Sequence, residues 1–300
     1  MDPADVLTGP ADAPAPWPDT RNHWPDTPAH RADAPERWAD TPPGPGGEAG
    51  RRPKRPPTTV IGPVEAQAAR TPGAPALVLP DGSVVSYGEL NAAANRLSRH
   101  LAGLGARPGT VVGLALTRPA EVVPALLAVA KSGAAYLPLD ADDAPGRRAW
   151  LLADARPVCV LGEGVPGAVR PREAELAAEL VTDPPRALTP QHPLWLAYGP
   201  GGRPAGVPVA HAEVDRRVRG LQSAYGLGPG DRVLQLGLPL WEFLWPLRTG
   251  AALVLTDPDR PAEVGEVVRE LGVTALRAAP AVIGGLLPDP GPVHLTPGVV

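Results

Sequence analysis

Between Tyr198 and Gly206 the chain reads Tyr-Gly-Pro-Gly-Gly-Arg-Pro-Ala-Gly. Glycines at that density let backbone N–H groups approach phosphate oxygens closely. The pattern has neither the Gly-Lys-Ser/Thr of a Walker loop nor the G-x-G-x-x-G of a dinucleotide site. On the residues alone, a phosphate cradle and a plain Gly/Pro surface turn are both open readings. No His/Asp/Glu set has metal-ligand spacing, and no Ser/His/Asp set is identifiable, so no metal site and no catalytic residue is assigned. The single cysteine, Cys159, excludes an intramolecular disulfide and a cysteine-built zinc site. Lying in an apolar run, it reads as a small buried hydrophobe, not a reactive thiol. Trp241, Phe243 and Trp245 recur at near-helical spacing and read as core rather than as a stacking platform.

The elements that must hold the glycine loop follow from residue 59 onward. Ser86-Tyr-Gly-Glu89 is a capping box, and the helix it opens carries Leu90, Ala94, Leu97 and Leu101 on one face before Gly103 and Gly105. Apolar strands are predicted at 111–116, 134–139, 157–162, 194–198, 232–236, 251–256 and 273–277. Helices are predicted at 119–131, 145–154, 172–181, 210–223 and 261–271, the first with Pro119 suited to its opening turn. Short apolar strands alternating with helices imply largely parallel sheets flanked by helices, an α/β class. In such folds ligands bind beyond the carboxyl ends of strands, and the glycine loop follows one strand and is expected to precede a helix.

The chain has 300 residues, a formal charge of −4 and 43% hydrophobic residues. That is enough for a sizeable core, with no basic field to hold nucleic acid. There is no basic-plus-apolar leader and no apolar run near 18 residues, so a soluble, unexported, cytoplasmic protein with no membrane contact is expected. The 34 glycines and 43 prolines concentrate an expectation of disorder on residues 1–58, which hold almost no Leu, Ile or Val. That stretch repeats every seven residues: WPDTRNH from Trp17, WPDTPAH from Trp24, RADAPER from Arg31 and WADTPPG from Trp38. Prolines within the repeats rule out a coiled coil. The repeats read either as a short linear motif for a partner or as duplication without selected function. The RRPKR run at 51–55 reads as a solvated linker end, with contact to acidic partners as the alternative.

Several segments resemble the amino-acid adenylation domains of non-ribosomal peptide synthetases, in the adenylate-forming (AMP-binding) superfamily. These are residues 64–78, residues 85–105, the stretch LLAVAKSGAAYLPLDADDAPGRRAWLLADARPVCVL at 126–161, YGLGPGDRVLQ at 225–235 and WEFLWPLRTGAALVL at 241–255. The stretch at 126–161 is similar to the family signature L-K-A-G-x-A-Y-x-P-L-D, with Lys131 at its Lys and Arg147 at its downstream Arg. The likeness covers nearly all of 59–290. It implies an activity in which ATP and Mg²⁺ convert an amino acid to an aminoacyl-AMP, and a peptidyl-carrier-protein or synthetase partner. Lys131 then reads as structural, near a helix C-terminus where positive charge is favourable, and Asp140 as fixing a turn after its strand.

The resemblance also brings out departures. The family phosphate loop reads T-S-G-S/T-T-G-x-P-K-G; here Gly199, Gly202, Pro204 and Gly206 are kept. Ala197, Tyr198, Pro200, Gly201 and Ala205 stand in the hydroxyl and lysine positions. Arg203 would supply some positive charge, and His211 falls where the family has a His that packs near the nucleotide, a capping or core role being equally open. The nucleotide-site candidates are therefore Gly199, Gly201, Gly202, Arg203, Gly206 and His211. The family Asp that grips the substrate ammonium in F-D-x-S is missing from Gln235-Leu-Gly-Leu-Pro-Leu240, and Glu242 is the Glu of the family's own V-W-E. An unpaired buried ammonium costs several kcal/mol. The family's later segments, including its Y-G-P-T-E run and C-terminal domain, would follow Val300, so residues 59–300 are expected to be the front portion of such a domain. Two readings stand: an AMP-forming amino-acid ligase or its front part, and a catalytically inactive remnant serving at most as a docking module.

Overall fold

In the computed structural model the described residues are 58–140, 143–185, 187–199, 205–236, 240–256, 264–278 and 294–297. The tryptophan repeats and the RRPKR run lie outside them. A six-stranded sheet has the order β11-β10-β8-β9-β1-β2. Its strands are β1 (Pro75–Val78), β2 (Val84–Ser86), β8 (Arg232–Leu236), β9 (Ala252–Val254), β10 (Ala275–Ala278) and β11 (His294–Pro297). A five-stranded sheet has the order β5-β3-β4-β6-β7. It comprises β3 (Val111–Ala115), β4 (Ala135–Pro138), β5 (Cys159–Gly162), β6 (Pro193–Ala197) and β7 (Val207–Ala210). All pairs are parallel except β1–β2 and β6–β7. The expected layered α/β architecture is what forms.

The helices are α1 (Ile61–Arg70), α2 (Tyr87–Gly103), α3 (Pro119–Ser132), α4 (Pro145–Ala155), α5 (Glu173–Ala177), α6 (His211–Tyr225), α7 (Leu244–Thr249) and α8 (Val264–Glu270). The capping box is present in both directions: the Glu89 amide donates to Ser86 Oγ at 3.2 Å, and the Ser86 amide donates to Glu89 Oε2 at 2.8 Å. α3 packs between α2 and the sheets and is buried from Val122 through Lys131 save for Pro124. It stops at Gly133, whose φ of +85° favours glycine and where a Cβ would meet the Pro108 ring at 2.8 Å.

Some sequence expectations are corrected. The helix expected at 172–181 shrinks to Glu173–Ala177, because Asn95 and Arg99 of α2 bond the backbone carbonyls of Val181 and Thr182 and hold that stretch out of helix. β1, β2, β7, β11, α1 and α7 were not anticipated. The last two are too short or too interrupted by Pro and Gly to carry a clear period. Trp241 and Trp245 are core as expected, at 6% and 1% exposure, on a 3-10 turn (Leu240–Phe243) and on α7. Each such tryptophan removes on the order of 200 Å² from water, about 5 kcal/mol before entropy is counted.

Lys131 does more than sit at a helix end. Only 1% exposed, it places Nζ 2.6 Å from Glu65 Oε1 and 2.8 Å from Asp183 Oδ1, joining α1, α3 and the segment after α5. Partial burial alone would raise the Asp183 carboxyl. The bond and charge of Lys131, with the amides of Asn91 and Asn95, hold it below its ordinary value.

Candidate functional site

A cleft of about 1020 Å³ opens where strands of both sheets end. Pro80, Leu116 and Thr117, Pro138 to Asp140, and Leu255 and Thr256 line it, following β1, β3, β4 and β9 respectively. This is the carboxyl edge at which parallel α/β sheets take ligands. Exposed Arg118, the residue before α3, contributes a cation. Arg170 is engaged by Glu121 at 2.9 Å and Glu163 at 3.1 Å.

The glycine loop leaves the same edge, because β6 runs parallel to β4. It does not lead directly into a helix, as the sequence suggested. It is the connection of a hairpin: Ala197 pairs with Val207 at its mouth, and Pro193 pairs with Ala210 at its base. Four residues of β-branched and proline character were too few to signal β7. Gly199 and Gly206 therefore lie together at the mouth. His211, which opens α6, lies at the base, roughly 13 Å away at about 3.3 Å per strand residue. It is fully buried, and its amide donates to the His192 carbonyl at 3.0 Å. Gly201, Gly202 and Arg203, with Pro200 and Pro204, lie outside the described residues.

The loop's first residue has a fixed position. The Tyr198 hydroxyl donates to Asp154 Oδ2 at 2.6 Å, and its ring meets Trp150 of α4 edge-on at 5.4 Å. Burial, then the Asp154 carboxylate, pushes the phenol well above its ordinary range. Gly206 closes against the same ring: a Cβ there would lie 2.7 Å from Tyr198 Cζ and Oη. Arg147 Nη2 donates to the Gly199 carbonyl at 3.0 Å while its Nε bonds Asp143 at 3.0 Å. Arg147 was noted in the sequence as a family match, but its hold on the loop emerges only from the fold.

A buried ion pair lies at Glu242, on the 3-10 turn that begins at the cleft residue Leu240. Glu242 is 2% exposed, and its Oε2 accepts from Nε and Nη2 of Arg277, each at 2.7 Å. The Arg277 guanidinium lies 5.4 Å from the centre of the Trp245 ring, and Arg217 lies 6.0 Å from that of Trp241. Burial raises the Glu242 carboxyl above its ordinary value, against the pull of Arg277. Arg277 was missed in the sequence; an arginine in the apolar strand Ala275–Ala278 was the available signal, since a buried charge demands a partner. Positions 237–239, where the family Asp would fall, lie outside the described residues.

Among the described residues no group of three or more His, Cys, Asp or Glu could hold a metal ion, and no helix is long and apolar enough to cross a membrane.

Residues 64–296 match the sequence profile of the AMP-binding enzyme family. The chain belongs to that family. Phosphinothricin tripeptide synthetase PhsB of Streptomyces viridochromogenes is 38% identical over 248 residues, which is 75% of this chain and 21% of that protein. The dimodular nonribosomal peptide synthase of Bacillus subtilis is 32% identical over 245 residues, 73% of this chain and 10% of its own. The nonribosomal peptide synthetase FmoA3, in its alpha-methyl-L-serine-AMP bound form, matches with a TM-score of 0.70 at 30% identity, covering 77% of this chain and 28% of its own. The chain thus spans about a fifth or less of the two curated AMP-binding relatives.

Proposed function

We propose that residues 59–300 are an adenylation-type nucleotide module, derived from the activation of an amino acid as its adenylate, that does not itself catalyse the reaction. Residues 1–58 form a separate tail. The observation that carries this reading is the anchored loop. Tyr198 stands where the family has a hydroxyl residue, and its oxygen is spent on Asp154. With proline and alanine at two further donor positions, the loop has little to offer a triphosphate. Phosphate chemistry depends on donors and cations placed in advance, and Pro200 lacks even an N–H. Supporting it, the Glu242 carboxylate is neutralised by Arg277 and is unavailable to an incoming ammonium.

The family likeness makes a synthetase or its carrier protein the natural partner, and the cytoplasm the natural location. ATP and Mg²⁺ are the ligands to test. Pyrophosphate exchange into ATP, assayed with each of the twenty amino acids, is expected to stay at the level of a heat-treated control. Exchange above that level with any amino acid overturns the proposal.

A further inference from the structure

A second cavity, of about 420 Å³, lies far in sequence from the glycine loop, between one face of α1 and helices α6 and α7. Its walls carry Arg70, Arg219 and Arg248 against a single carboxylate, Asp215. Asp215 is fully buried; its Oδ1 accepts from Arg248 Nη1 at 2.9 Å, and its Oδ2 pairs with Arg219 Nη2 at 3.1 Å. These bonds orient two guanidinium groups at the cavity wall. Arg70, at the end of α1, adds a third cation, bonded to the neutral Gln67 side chain.

α1 also begins here. Gly62 and Pro63, in its first turn, line the cavity, and its N-cap, Val60, provides no side-chain acceptor for the helix's first amides. The first turn holds no acidic residue. The positive end of a ten-residue helix and three guanidinium groups therefore border one small space, with the hydroxyl-bearing residues Thr58 and Thr59 at its wall. Planar guanidinium groups favour phosphate-type oxyanions through paired N–H···O bonds.

We propose that this cavity is a binding site for a small multivalent phosphoryl oxyanion, held by Arg70, Arg219 and Arg248 with Asp215 as the positioning residue for the last two. The source is either a free inorganic anion or a phosphomonoester on a larger molecule, and inorganic pyrophosphate and AMP serve as the two probes. In calorimetry at low salt the full chain is expected to bind pyrophosphate saturably. Arg70→Ala, at an exposed position that leaves Asp215 paired, should weaken uptake about tenfold or more. Arg248→Lys should weaken it while folding is retained, and Arg118→Ala, in the large cleft, should leave it unchanged. If AMP binds with the same response to Arg70→Ala, the ester source is supported; if only pyrophosphate does, the free anion is. Absence of saturable binding by either probe overturns the proposal. So does binding that survives Arg70→Ala and disappears in Arg118→Ala.

Discussion

Tyr198 donates its phenolic hydrogen to Asp154 across 2.6 Å, and so the first residue of the glycine-rich loop is fastened to α4. The last residue of that loop, Gly206, has room only for hydrogen beside the same ring. One aromatic ring thereby sets the contacts at both ends of the loop.

Gly206→Ala is expected to cost about 1–3 kcal/mol of folding stability, because its methyl collides with a ring pinned by Asp154 and Trp150. In a Tyr198→Ala background the same change should cost close to nothing. Urea denaturation of the two single variants and the double variant measures the coupling. Equal costs in both backgrounds would refute the contact.

If the loop's side chains are what deny it a triphosphate, restoring them should confer one. A variant combining Tyr198→Ser, Pro200→Ser, Gly201→Thr and Ala205→Lys is expected to bind Mg-ATP in calorimetry where the parent chain does not. Continued absence of binding in a folded variant would move the cause away from the loop.

Lys131→Met removes the cation between Glu65 and Asp183. Because Glu65 is largely buried while Asp183 is half exposed, the cost should be near the lower end of the range for a broken buried pair, about 3 kcal/mol. The pH dependence carries a sign. The Asp183 carboxyl is held below its unfolded value, so its contribution is present above the ordinary carboxylate range and disappears as pH falls through the folded value. Chemical denaturation between pH 6 and the acid limit should show a shallower acid loss in Lys131→Met than in the parent.

Cys159 is half-buried on β5, and burial pushes its thiol up to about 11. As the chain's single cysteine it can be titrated without interference. Thiolate absorbance should rise with a midpoint near 11 in the folded protein, and a disulfide reagent should react more slowly than with a free thiol at pH 8. The folded value lies above the unfolded one of about 8.5. Stability from this group is therefore complete below that pH and declines as pH rises toward 11, and Cys159→Ala should remove that part of the alkaline decline.

Local chemistry made much of this protein legible before folding. Ser86 and Glu89 form their cap within three residues, Pro119 and Gly133 bracket α3, and the apolar runs become strands close to where the alternation puts them. These features depend on neighbours along the chain, so the amino-acid order determines them. The glycine loop was equally visible as composition. What the order of residues did not determine was partnership across long separations. Tyr198 finds Asp154, Arg277 finds Glu242, Lys131 bridges residues 65 and 183, and three arginines from α1, α6 and α7 converge on Asp215. His211, only five residues past Gly206, ends at the opposite end of a hairpin. Charges and rings pair where packing brings them together, and that depends on how two sheets and their helices stack, which nothing local to any one residue encodes.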